Sequence, residues 1–372
     1  MQTVGKEPLG LYIHIPFCEK RCAYCDFYSS FLNAELSDEY LSALIERIKE
    51  WGGVINRPVS SVYIGGGTPS VIGGRIGGLM KAVKDSFNIL PNAEITAEIN
   101  PNCGDVFLST AHESGVNRIS IGIQSGNDSE LKALGRTHTA KEAAAAVNRV
   151  KKVGFGNISA DIMIGLPDSD RETLSKSIDF ICGLEPRHIS SYILKLEENT
   201  LLYKLKNTLN IPDDDSVADQ YLYMCEALEK RGFSHYEISN FAQNGFEGRH
   251  NINYWNCGEY IGIGPSAHSF LNGKRFYYPS DIREFVRGGK PVGDGSGGDA
   301  EEYIMLRLRL SDGVLFSDYR DRFGRDIPDS VKNQAKIFEK SGLATVSQNS
   351  VSLTDKGMLV SNEIITELLE CF

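Results

Sequence analysis

Residues 9–30 read LGLYIHIPFCEKRCAYCDFYSS, and the fold is decided in this stretch. Its first half, LGLYIHIP at 9–16, is a short apolar run with β-branched and aromatic residues, the composition of a buried strand. Its second half sets Cys18, Cys22 and Cys25 in C-x3-C-x2-C spacing on the loop that leaves that strand. Three thiolates on one short loop can hold three corners of an iron–sulfur cube, and no fourth cysteine lies nearby to take the remaining corner. One iron then stays open to a chelating ligand, the feature that separates catalytic metal sites from closed structural ones. The competing reading is zinc completed by a distant Cys or His, although structural zinc loops usually pair two C-x2-C knuckles.

Outward from this loop the chain alternates. Strand-like runs at 60–67, 93–100, 118–125, 157–165 and 188–196 are separated by helical patterns at 37–53 (after a Ser37 cap), 70–86, 105–114, 140–152 and 171–182. Six strand-plus-crossover units imply an α/β fold with a parallel sheet, either doubly wound or curled into a barrel. Periodicity leaves those two open. After residue 200 come one long amphipathic helix (212–233), a strand (235–242), a segment rich in Gly, Asn and aromatics (243–298) and a Gly-rich hinge at 293–299. Helices near 299–310 and 328–342 with short strands near 344–354 suggest a small C-terminal α+β module.

The 39 Lys and Arg against 49 Asp and Glu give a net charge of −10, spread along the chain, which argues against a nucleic-acid partner. No run approaches the roughly 20 apolar residues of a transmembrane segment, and MQTVGKEPLG carries no apolar signal core, so the expected compartment is the cytoplasm. The five remaining cysteines are scattered singly and read as small buried residues.

Polar residues recur where the other strands end: Gly65-Gly66-Gly67-Thr68-Pro69, Glu98-Ile99-Asn100-Pro101, Gln124-Ser125, then Arg136, with Asp161 inside the fifth strand. Sites in α/β folds form at the carboxyl ends of strands, and polar groups there need partners. Taken singly, Glu98 or Asp161 could pair with Arg136 instead.

The cysteine loop after a first strand resembles the signature of the radical S-adenosylmethionine (SAM) superfamily. That resemblance implies a partial (βα)6 TIM-like barrel over 1–240, and a 4Fe–4S cluster on Cys18, Cys22 and Cys25 whose open iron is chelated by SAM. More closely, Tyr12-x-His14-Ile15-Pro16-Phe17-Cys18, GGGTP, Leu134-Gly135-Arg136-Thr137-His138 and Asp161-Ile162-Met163-Ile164-Gly165-Leu166-Pro167 resemble the oxygen-independent coproporphyrinogen oxidase family. By that similarity Tyr12, Tyr24, Gly66, Gly67, Thr68, Glu98, Gln124, Arg136 and Asp161 contact SAM, with Glu98 at the ribose hydroxyls, where an ionised carboxylate accepts from a diol.

The decarboxylating oxidases carry a further cysteine two residues after the third and a longer N-terminal segment. This chain has Phe27 at that position and about eight residues before the strand, a match to the heme-chaperone (HemW-like) branch. His250-Asn251-Ile252-Asn253-Tyr254-Trp255 matches the HNxxYW motif of that branch, within a connecting segment at 241–298 that precedes the C-terminal domain at 299–372. The resemblance implies heme as a further ligand, with His250 as its first contact beside a flat Tyr254–Trp255 surface, a heme-acceptor protein, and an electron donor such as a flavodoxin or ferredoxin. His268 and Cys257 are alternative ligands, and the competing reading is that His250 hydrogen-bonds within a packed loop whose aromatics are core. The alternative is a true radical enzyme, a coproporphyrinogen dehydrogenase or a methylase.

Overall fold

The computed structural model describes residues 7–372. Six parallel strands, β1 (Leu9–Ile15), β2 (Pro58–Gly66), β3 (Asn88–Ile99), β4 (Arg118–Gln124), β5 (Asn157–Ile164) and β6 (His188–Ile193), lie side by side in chain order. Strand alternation sorts their residues. Leu11, Ile13, Val62, Ile64, Ile95, Ala97, Ile119, Ile121, Ile158 and Ala160 face outward into one apolar core beneath the helices. The inward positions are polar: Tyr12, Tyr63, Glu98, Ser120, Asp161 and Tyr192. The sheet curls around this inner face, since Tyr192 on β6 lies near enough to Tyr63 on β2 to add to the burial and the Glu98 charge that push the Tyr63 hydroxyl up. The open alternative of a doubly wound sheet, with an apolar core on both faces, does not fit a polar inner face.

The sheet is wider than expected. Beyond β6 lies an antiparallel hairpin, β7 (Ser234–Glu237) and β8 (Asn240–Ala242), where a single strand was expected. On the other side β9 (Tyr260–Ile263) pairs parallel with β1, followed by antiparallel β10 (His268–Leu271), β11 (Lys274–Tyr277) and β12 (Val292–Ser296). Residues 241–298, expected as a connecting segment, thus supply four strands to the main sheet. Gly262 and Gly264 hid β9: a Cβ at Gly262 would lie 2.2 Å from the His268 carbonyl oxygen, so glycine interrupts the apolar run. The first helix also begins earlier, at Ala34, because the Asn33 side chain accepts from Leu36 N, and Ser37 is buried inside it.

Residues 300–369 form five helices around the three-stranded sheet Val314–Leu315, Ser350–Leu353 and Ala344–Val346, with their own core including Tyr303, Tyr319, Val331 and Leu368. This module is tied to the sheet edge, where Ile238 N donates to Arg309 O at 2.9 Å.

The HNxxYW segment forms the short helix Arg249–Trp255 across the amino-terminal end of the curled sheet. His250 is 1% exposed. Its Nδ1 lies 2.8 Å from Ser61 Oγ and its Nε2 2.7 Å from Tyr254 Oη, while its backbone N–H donates to Glu94. Tyr254 meets Tyr260 edge-on at 4.4 Å, and Trp255 Nε1 donates to Glu237 Oε2 at 2.6 Å. The expected open heme surface around His250 is therefore corrected: both imidazole nitrogens and both aromatic polar atoms are spent inside the protein, and the helix is a plug. Burial drives the imidazole down to about 3, so it is neutral in the fold at any ordinary pH. Replacing His250 with Ala leaves the Ser61 and Tyr254 hydroxyls unpaired and opens a void. The expected loss is roughly 2–4 kcal/mol of stability, measured by denaturant unfolding; a loss within experimental error would contradict the plug.

Candidate functional site: a thiolate loop braced by strand ends

The cysteine loop sits over the carboxyl ends of the curled strands. Its backbone is pinned by Ala23 N donating to Leu134 O at 2.9 Å and by Leu202 N donating to Ala23 O at 2.8 Å. Cys18 is buried, Cys22 and Cys25 are half-buried, and all three are free thiols. A single zinc with Zn–S near 2.3 Å would draw its sulfurs to about 3.8 Å of one another. The loop trio is not among the groups whose ligand atoms all lie within 4.8 Å. A wider spacing suits a cube, whose separate irons hold their thiolates farther apart.

Two donors, Thr68 and Arg136, address the sulfurs, linked through Asn100. Thr68, after β2, donates from Oγ1 to Cys18 Sγ at 3.5 Å and accepts from Asn100 Nδ2 at 3.1 Å. Asn100, after β3, accepts at Oδ1 from Arg136 Nη2 at 2.7 Å, and Arg136 Nη1 donates to Cys22 Sγ at 3.3 Å. Arg136 also donates to the carbonyl of Gly122 in β4. One continuous bridge, Cys18–Thr68–Asn100–Arg136–Cys22, therefore joins two cluster sulfurs across the sheet. Burial pushes the Cys18 thiol up, and the Thr68 hydroxyl opposes that shift toward the thiolate form that iron requires. Asn100 was not singled out from the sequence, since a neutral amide at a strand end carries no spacing signal.

Beside the bridge lies a cavity of about 180 Å³, lined in part by Cys22, Thr68, Asn100 and Arg136. Glu98 and Asp161 lie deeper, surrounded by protein yet with solvent-accessible surface, as expected of side chains lining an internal hollow. Glu98 accepts from Tyr63 Oη at 2.7 Å and from Gly66 N at 3.1 Å, and burial raises it to about 7. Asp161 accepts from Ser120 Oγ at 3.2 Å, and burial raises it to about 6. Gln124 ends β4 with φ +76 beside a register shift, and its buried Oε1 has no protein partner among the described residues. A strained residue with an orphaned acceptor is waiting for a donor. Tyr24 packs with Leu134, Met163 and Leu166 under the loop.

The glycines of GGGTP are used by the fold itself. Gly66 has φ +114 and a Cβ there would meet the His14 ring at 2.5 Å; at Gly67 it would meet the Phe17 carbonyl at 2.7 Å. Close seating of this turn brings Gly67 N onto Ile15 O and Thr68 N onto Phe17 O, each at 2.8 Å, which aims Thr68 at Cys18. Tyr12 gives its hydroxyl to the neighbouring His14 Nδ1 at 2.9 Å. Of the residues expected at this site, Tyr12, Tyr24, Gly66, Gly67, Thr68, Glu98, Gln124, Arg136 and Asp161 all converge here; His250 does not. Cys257 is buried, with its thiol pushed up to about 11, and His268 is exposed beside Asp294 on the far sheet edge.

A model of the radical SAM superfamily matches residues 12–181, and one of the HemN C-terminal domain matches 299–360. The chain is 32% identical to heme chaperone HemW of Lactococcus lactis, over 98% of each chain. It is 39% identical to HemW of Escherichia coli, over 96% of this chain and 97% of that one. The chain belongs to the HemW family of radical SAM proteins. Membership in the superfamily brings a 4Fe–4S cluster and SAM, and the thiol trio, its sulfur-directed donors and the orphaned Gln124 acceptor fit both. The fold of the chain is shared with HemN, the coproporphyrinogen III oxidase of Escherichia coli. That structure superposes with a TM-score of 0.84 at 21% identity, over 100% of this chain and 91% of that one.

Proposed function

We propose that Cys18, Cys22 and Cys25 carry the 4Fe–4S cluster, that the strand-end residues beside them bind SAM, and that the protein binds heme and passes it to an acceptor protein in the cytoplasm. A flavodoxin- or ferredoxin-like donor would reduce the cluster. The observation that carries this reading is near-full-length similarity to proteins named heme chaperone HemW. When bound, cluster and SAM together supply one-electron cleavage of the sulfonium. The chain's own residues position and shield. Glu98, ionised, accepts from the ribose diol; Gln124 Oε1 receives a donor; Arg136 holds Cys22.

Heme needs an apolar face, and one rims the cluster end of the barrel. Phe27 is 72% exposed and Phe31 68%, and Tyr192 and Ile193 at the end of β6 and Leu201 and Leu205 on the helix that follows are also exposed. The helix bearing Leu201 abuts the cysteine loop through the Leu202–Ala23 bond, so its exposed side chains lie beside that loop. A porphyrin laid there buries apolar area on both partners. Phe27 stands where the related oxidases carry an extra cysteine. No helix among the described residues is long and apolar enough to cross a membrane.

Anaerobic protein given heme should develop a stoichiometric Soret band, weakened in Phe27→Ser/Phe31→Ser and retained in His250→Ala once its lower stability is allowed for. Loss of the band in a folded His250→Ala protein would move the heme ligand to the plug and overturn the rim site. Conversion of coproporphyrinogen III to protoporphyrinogen with reductant and SAM would replace chaperone by dehydrogenase, the reading that the HemN fold would then support.

Glu98 titrates near 7, raised from its ordinary value, so it is largely protonated at pH 6 and ionised above 8. Only the ionised form accepts from both ribose hydroxyls, so SAM affinity by equilibrium dialysis should rise as pH climbs through about 7. Glu98→Gln should flatten that rise; an unchanged pH profile in the variant would remove Glu98 from the ribose.

A further inference from the structure

A second set of metal-ligand side chains lies far from the cysteine loop. Cys225 comes from the helix Asp214–Glu229, His235 from β7, and Asp355 from the helix Asp355–Leu359 of the C-terminal module. Their ligand atoms all lie within 4.8 Å of one another. His235 Nδ1 is the shared vertex, 2.8 Å from Asp355 Oδ1 and 4.0 Å from Cys225 Sγ. One imidazole N–H cannot serve both neighbours, whereas one cation bound at Nδ1 could reach both.

We propose that Cys225, His235 and Asp355 bind a divalent ion of the zinc class and thereby clamp the C-terminal module to the edge of the barrel sheet. The donor chemistry selects the class. A thiolate, an imidazole and a carboxylate together suit a borderline ion such as zinc, and suit magnesium or calcium poorly, since those take oxygen ligands. The imidazole is held in place before any ion arrives: it stacks on Phe241 at 4.3 Å with 14° between planes, and Tyr221 meets it edge-on. Exposure is graded outward, from buried Cys225 through His235 to a half-exposed Asp355, which leaves an entry path and room for water as a fourth ligand. Binding replaces the Cys225 thiol proton, which leaves to solvent, and no redox partner is needed.

The separations along the chain explain what the ion would do. Cys225 and His235 flank one turn, but Asp355 comes from a module folded around its own core. Without an ion the three groups provide one hydrogen bond between modules; with one, two ligands from the barrel side and one from the module meet at a single centre on the same seam.

The test uses the full chain carrying its iron–sulfur cluster, stripped of loosely bound metal and then supplied with zinc chloride. Iron and zinc are quantified together, and thermal unfolding is recorded. The expected result is one zinc per chain with iron unchanged, a raised unfolding midpoint, and loss of both effects in Cys225→Ser and Asp355→Asn. Asp355 is half-exposed, so its variant keeps the experiment decisive should the buried cysteine variant fold poorly. Zinc uptake equal in wild type and Asp355→Asn, uptake only at the expense of iron, or no uptake by wild type would each overturn the proposal.

Discussion

Two sulfurs on one loop are tied to the ends of three strands through Thr68, Asn100 and Arg136, and most of the site depends on that bridge. A short loop bearing three thiols has no reason of its own to hold them apart and pointed at a common volume. Here the spacing is imposed from below, by strands whose register is set by the outward apolar core. The hydrogen bonds go to sulfur, the atoms through which a protein tunes an iron–sulfur cluster. The same bridge places Arg136 and Asn100 on the wall of the cavity beside Cys22.

The inner face of the sheet divides into two levels with opposite character. Near the amino-terminal ends, Ser61, Glu94 and His250 are sealed and paired with one another or with the plug helix, and buried His188 is paired with Ser159 and Tyr236. Near the carboxyl ends, Glu98, Gln124 and Asp161 are strained, raised in pKa or lacking a partner. Paired polar groups make a rigid floor and unsatisfied ones make a binding surface, so one strand pattern serves both stability and ligand capture.

Much of this was legible in the residues because it is local. The strand–helix alternation through residue 196 rests on apolar runs punctuated by glycine and proline, and the cluster loop announces itself by the spacing of Cys18, Cys22 and Cys25. What was not legible depends on partners far away in the chain. The role of His250 turned on Ser61 and Glu94, more than 150 positions earlier, and a histidine beside two aromatics reads the same whether it plugs a barrel or faces a porphyrin. Strand β9 was lost because close packing against His268 demands glycine where a strand would show a branched residue. Asn100, one residue past β3, was given no role because a neutral amide does not announce its partners, and Tyr63 was missed because only its register on β2 shows that it faces the hollow.

The central claim is a cube of iron and sulfide held by three protein thiolates, with its fourth iron free for SAM. Mössbauer spectroscopy of the iron-57-reconstituted protein, before and after SAM is added, tests it most directly. The account predicts that one iron in four changes its isomer shift on addition while three stay as they were. Four irons that are unaffected, or a protein that retains no iron while all three cysteines are intact, would contradict it.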